Sequence, residues 1–279
     1  MVATMVSTIV INVENVAILL FSLVSIAIFS HLLYRYVFRK GAGLRVRNLS
    51  RCMICYMAFN VIGLITSAPY YFYQTSLFPK DSPDLQLWLI TVATTHLEVM
   101  PLTVFFLALE RCLTIQFRFT SRIETIVFTC NIVCVLLIVA TNMSLYRFYA
   151  GTLITFAFKM VLGVLNACAC AYLFWKVKHF QTQSFQSESA VSLKNHAKNT
   201  IVKFTCVTEL CLEFLPNLTA TIMIMAGGSD IFDYTGPFAS TTQCLNVMIC
   251  AIIYNRTLYA KNGNGTTAVV VTHTSKYNT

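Results

Sequence analysis

Seven stretches of this chain, at 9–34, 52–73, 85–109, 125–146, 153–175, 202–225 and 238–259, are almost wholly apolar. Each has the roughly 20 residues a helix needs to cross the hydrocarbon of a bilayer. In hydrocarbon only helices and closed barrels can satisfy their own backbone hydrogen bonds, so few folds remain open to such a chain. Charged residues make up only 11% of the sequence, against about 25% in a soluble domain. That is too little polar surface to wrap the apolar stretches in water. The pattern predicts an all-α membrane protein: a single seven-transmembrane helix bundle over residues 1–259, then a short, polar, disordered tail at 260–279.

The basic residues set the orientation. A net charge of +9 would also suit a nucleic-acid binder, but of the 20 Lys and Arg only Lys80, Arg147 and Lys159 fall on one side of the seven stretches. The rest gather on the other side, in 35–51, around 111–122, across 176–203 and after the seventh stretch. Cytoplasmic loops carry such an excess. The N-terminus is therefore expected outside and the C-terminus in the cytoplasm. The basic surface is expected to face anionic lipid or an acidic partner, with no nucleic acid involved. No Lys or Arg precedes Ile9 and the apolar run is longer than a signal h-region, so the first stretch reads as an uncleaved signal anchor behind a short outer N-terminus.

The longest connection, 176–199, contains the Gln- and Ser-rich run HFQTQSFQSESAVS and is expected to be a mobile inner loop, open to phosphorylation or simply solvated. The eleven cysteines lie within the stretches or at the inner end of the second, so no structural disulfide is expected. Cys52-x-x-Cys55 has metal-like spacing but no second Cys or His pair beside it, and neither a metal nor a cofactor is read from it.

Acidic and basic groups are expensive at mid-membrane depth, so those present ask for a purpose. On the third stretch Thr91, Thr94, Thr95 and Glu98 share one helical face, which places Glu98 in the bundle interior. His96 lies about 200° around from Glu98 and is expected to bond an adjacent helix. The fifth stretch carries Thr152, Thr155, Lys159 and Asn166 as a similar stripe, and the sixth carries Thr205, Glu209, Glu213 and Asn217 at steps of four. Glu209 and Glu213 would repel if both were ionised, so at least one is expected to be protonated or ion-paired. Pro216, and Pro101 on the third stretch, each remove a backbone donor and favour a kink. Counted from the outer ends, Lys159, Glu98 and Glu213 fall at depths of about 9, 16 and 18 Å. Together with Asn217 they are expected to line a ligand cavity in the outer half of the bundle. A purely structural ion-pair network is the competing reading. Lys159 would suit an anion, Glu98 or Glu213 a cation.

Glu110-Arg111 lies elsewhere, with Arg111 about 36 Å along the axis from Leu87 and hence at the cytoplasmic boundary. An Arg there can snorkel to headgroups. The pair, in LALERCLTI at the end of a third helix, resembles the Asp/Glu-Arg-Tyr element of rhodopsin-like G-protein-coupled receptors, with Cys112 where Tyr is usual. The resemblance implies that Glu110 restrains Arg111 at rest and that Arg111 meets the G protein when the inner end of helix 6 swings out. The sequence departs from that family in having no Cys at the outer end of helix 3, no Trp in helix 4 and no Asn-Pro-x-x-Tyr in helix 7, which ends ICAIIYNRTLY. With its short termini, LERCLTI and YNR it is more similar to the nematode serpentine chemoreceptors, the Srbc class in particular. That resemblance implies a plasma-membrane receptor of sensory neurons, sited in a ciliated ending and serving olfaction, that detects a small molecule and signals through a heterotrimeric G protein.

A proton-coupled or small-molecule transporter is the alternative, because it too needs intramembrane Glu and Lys. The chain has no internal repeat and no matched pair of broken helices to support it. An enzyme is not expected: there is no zinc motif, nucleophile elbow or paired catalytic carboxylates in a cleft.

Overall fold

Backbone polar groups have no water to bond in hydrocarbon, and the apolar stretches accordingly close their hydrogen bonds within helices. The structure, a computed structural model, describes residues 2–38, 49–75, 82–117, 120–145, 151–183, 190–225 and 238–258. These form α1 (Val2–Val37), α2 (Arg51–Gln74), α3 (Pro83–Phe117), α4 (Thr120–Leu145), α5 (Gly151–Gln183), α6 (Ala190–Glu209), a π-helical turn (Leu210–Phe214), α7 (Leu215–Met225) and α8 (Phe238–Leu258). The residues from 190 to 225 are one unbroken helical run, and no strand occurs among the described residues. α3 runs through the middle, packed against α2, α4, α5 and α6, while α8 closes the ring against α1 and α6.

Four of the helices are long and apolar enough to cross a membrane: Thr8–Val37, Arg51–Gln74, Pro83–Gln116 and Arg122–Ser144, with a shorter apolar run at Met160–Lys176. The expected count was seven. The four are counted among the described residues: α8 is less apolar because it carries Gln243 and Asn246, the π-helical turn interrupts the 190–225 run, and the side chains at 151–159 and 177–198 lie outside the described residues. Gln243, Asn246, Glu209 and Glu213 are buried inside the bundle. The surface is apolar where the interior is polar. Leu20, Leu23, Leu136, Leu137 and Val161 are exposed, whereas Asn15, Asn60, Asn131 and Asn246 are buried. That inversion suits hydrocarbon surroundings, where an outward Leu costs nothing and an outward Asn costs several kcal/mol. The protein is therefore read as membrane-embedded.

Several helices outrun their apolar stretches. α1 begins at Val2, so the expected short outer segment is helical, and α3 continues to Phe117, past the expected end at 109. The expected long inner loop at 176–199 is largely helical: α5 reaches Gln183 and α6 starts at Ala190. A helix does not need apolar residues once it leaves hydrocarbon, so hydropathy alone ends it too early. Residues 184–189, the connections at 39–48, 76–81, 146–150 and 226–237, and the tail expected at 260–279 lie outside the described residues.

One end of the bundle collects the charged and aromatic side chains. Ser50 caps α2, its Oγ accepting from Met53 N, and Glu124 of α4 accepts from Arg51 N at 2.8 Å. Tyr172 of α5 donates to Gln116 of α3 at 3.0 Å, and Lys176 sits over the rings of Tyr172 and Trp175. Exposed Trp and Tyr with a snorkelling Lys are what a helix presents at a headgroup layer. Inside this end, Phe29, Tyr56 and Tyr254 form a three-ring cluster joining α1, α2 and α8, with centroids 5.7–6.1 Å apart.

All eleven cysteines carry free thiols, and several pack as small interior groups: Asn131 donates to Cys55, and Cys250 donates to Asn246. His96 lies flat against Gly63 of α2, with Ser67 Oγ 3.5 Å from its Nδ1. The expectation that this histidine bonds a neighbouring helix agrees with that contact. A methyl at Gly63 would collide with the imidazole ring itself. Gly63→Ala is therefore expected to destabilise the fold by about 1–3 kcal/mol, and the second change His96→Ala to recover part of that loss. Thermal unfolding in detergent, followed by thiol labelling of buried cysteines, measures both.

Candidate functional site

α3, α5 and the 190–225 run converge on a small, partly open cavity with room for one water-sized group. Its polar wall is Asn166 of α5, Glu209 at the end of α6, Glu213 in the π-helical turn and Asn217 of α7; Pro101 of α3, Gly163 and Cys206 complete the part that matters here. Glu209 and Glu213 are both buried, and their carboxyl groups are hydrogen-bonded to each other. Two carboxylates cannot make such a bond without a proton between them, so at least one of the pair is protonated.

The two prolines shape this place. Pro216 follows the π-helical turn directly. It has no N–H to give to the carbonyl four residues back, and a local π register is one way a helix accommodates that loss. The turn brings the Phe214 ring against Gly163, where any side chain larger than hydrogen would collide with it. Pro101 likewise leaves the Leu97 carbonyl without its helical donor, and Gln243 of α8 supplies one at 3.3 Å. Its own carbonyl accepts from Asn166 Nδ2 at 2.8 Å.

The residues expected at the ligand site are thus only partly together. Glu213 and Asn217 share the cavity. Glu98 faces α4 instead: Asn142 Nδ2 donates to its Oε2 at 2.8 Å and to Thr95 Oγ1 at 3.1 Å. Of the threonine stripe on α3 only Thr95 meets Asn142, while Thr91 and Thr94 donate their hydroxyls to carbonyls of α3 itself. The side chain of Lys159 lies outside the described residues. Glu209 and Asn166, read earlier only as members of stripes, are the additional cavity residues. Asn246 of α8 stands behind them, donating from Nδ2 to Glu209 Oε2 at 2.9 Å.

Glu110 and Arg111 form an ion pair, Oε1 to Nη2 at 2.9 Å, with side chains only 2% and 6% exposed. Arg111 does not snorkel. The two further turns of α3 carry the pair inside the packed end of the bundle, where the Cys52 thiol of α2 lies within hydrogen-bonding reach of Glu110. Glu110 Oε2 and Arg111 Nε find no partner among the described residues, so the pair is buried but incompletely satisfied.

Fold and site together define a helical membrane-embedded protein with a carboxyl-lined cavity between helices and a separate buried ion pair at the end of its central helix. No protein-family model matches the sequence, and comparison with curated proteins gives no match.

Proposed function

We propose that the chain is a seven-span receptor of the plasma membrane, N-terminus outside, that binds a small molecule between α3, α5 and the 190–225 run and signals through a cytoplasmic heterotrimeric G protein. The observation that carries this reading is the buried Glu110–Arg111 ion pair at the end of α3, which is the resting state that the resemblance to rhodopsin-like and nematode serpentine receptors implies. The cavity and the proline-linked π-helical turn support it. A ligand binding one packing of this turn better than another shifts the population of the 190–225 run, and with it access to Arg111. By the same resemblance the setting is a sensory neuron and its ciliated ending, with chemosensation as the role. A proton-coupled or small-molecule transporter is the second reading, favoured by the buried Glu209–Glu213 pair facing a cavity.

Two measurements separate the readings. An N-terminal tag is expected to be accessible on intact cells; a cytoplasmic tag would sink the receptor topology. A panel of small molecules applied to expressing cells is expected to give a G-protein signal that Arg111→Ala removes, whereas gradient-driven uptake that Arg111→Ala leaves intact favours the carrier.

A further inference from the structure

The cavity between α3, α5 and the 190–225 run is chemically one-sided. Every side-chain amide nitrogen around it is committed to an acceptor inside the protein: Asn166 Nδ2 to Pro101 O, Asn217 Nδ2 to Glu213 O and Asn246 Nδ2 to Glu209 Oε2. Those partners accept only, so the amide orientations are fixed by chemistry. Oxygen is what remains for the cavity. Asn166, only 4% exposed, is left with an unpartnered Oδ1, and the Glu209 carboxyl, 2% exposed, accepts from Asn246 on one side and otherwise meets only Glu213. Buried acceptors without donors cost about 1–3 kcal/mol each, so an arrangement of this kind is explained by something that satisfies them.

We infer that this cavity is a binding site for a small monovalent cation, ligated by Asn166 Oδ1 and the carboxyl oxygens of Glu209 and Glu213. Hard oxygen donors suit an alkali ion or the –NH₃⁺ head of a small amine, and a space for one water-sized group suits either. No basic side chain stands among the residues that line the cavity, so its two carboxyl groups and the amide oxygen suit a cation, and its size suits a small one. No three His, Cys, Asp or Glu side chains converge among the described residues to offer a transition-metal site instead. The inference deepens the reading of this cavity as the ligand site and rests on that reading for its location alone. It is tested on the purified chain with no G protein present, so a failed cation site and a failed receptor assignment give different results.

The experiment is thermal unfolding of the full chain in detergent micelles at constant ionic strength, with N-methylglucamine chloride replaced stepwise by one of three monovalent salts, sodium, potassium or methylammonium chloride, and in parallel by calcium chloride. The expected result is saturable stabilisation by at least one of the three. Response to sodium or potassium alone assigns an inorganic ion, and tighter response to methylammonium assigns an amine head. Half-saturation is expected to rise about tenfold or more in Glu209→Gln and in Asn166→Leu, while Glu98→Gln, whose carboxylate faces α4, keeps the wild-type value. If one of the two site variants does not fold, the other carries the comparison. Identical unfolding in all salts overturns the proposal, as does a response to calcium alone, a response unchanged in Glu209→Gln or Asn166→Leu, or one that appears only in Lys159→Met.

Discussion

Glu110→Gln is expected to raise ligand-independent G-protein signalling by about tenfold to a hundredfold, and Arg111→Ala to abolish signalling with or without ligand. The direction follows from the geometry of the pair. Glu110 Oε1 accepts a charge-assisted bond from Arg111 at 2.9 Å inside a packed end of the bundle, and such a bond is worth about 1.5–3 kcal/mol. If it holds the resting packing and not the active one, its loss shifts the balance by that amount, or about tenfold to a hundredfold. Gln keeps the volume and one acceptor but gives up the charge. The unpartnered Nε of Arg111 works the same way, because a guanidinium incompletely satisfied inside has less to lose on reaching a partner outside.

Asn142→Leu is expected to destabilise the fold by about 1–3 kcal/mol. Asn142 is the one described donor to Glu98, whose Oε1 already lacks a partner and whose side chain is only 3% exposed. Removing that donor strands a buried carboxyl group between α3 and α4. The contrasting change Glu98→Gln keeps an oxygen in place to accept from Asn142 and is expected to cost less than half as much. Detergent unfolding of the two variants, read by thiol labelling, gives the comparison; equal losses would show that Asn142 is not what stabilises Glu98.

Helix placement was legible because hydrocarbon acts as a solvent with one demand, and the apolar stretches answer it. The ends of the helices were less so. Glu110-Arg111 looks terminal by hydropathy, yet α3 continues through CLTIQF and buries the pair. Helical periodicity placed Glu98 on the polar face of α3 but cannot say which neighbour that face meets. α3 is packed on four sides, so polar does not mean facing the α5–α6 cavity. The missed signal was Asn142, which in sequence reads only as part of the sequon Asn142-Met-Ser144 inside a helix. Pro216 marked the place where helix geometry changes, but a proline allows a kink or a π register alike, and only the fold distinguishes them. The four-residue spacing of Glu209 and Glu213 made it readable that both would not ionise freely, but not whether a proton or an ion pair relieves them. That Asn166 and Asn246 turn their amide nitrogens away from or behind the pair was not readable, because it depends on Pro101 and on α8.

The most direct test of the receptor account needs no ligand. Nucleotide exchange on a heterotrimeric G protein is measured in membranes carrying equal amounts of folded wild-type chain, Glu110→Gln and the double variant Glu110→Gln/Arg111→Ala. The expected result is exchange above wild type for Glu110→Gln, falling to background when Arg111 is also removed. Exchange at the wild-type level in all three, with each chain folded and in the membrane, would contradict the assignment of this ion pair as a signalling switch.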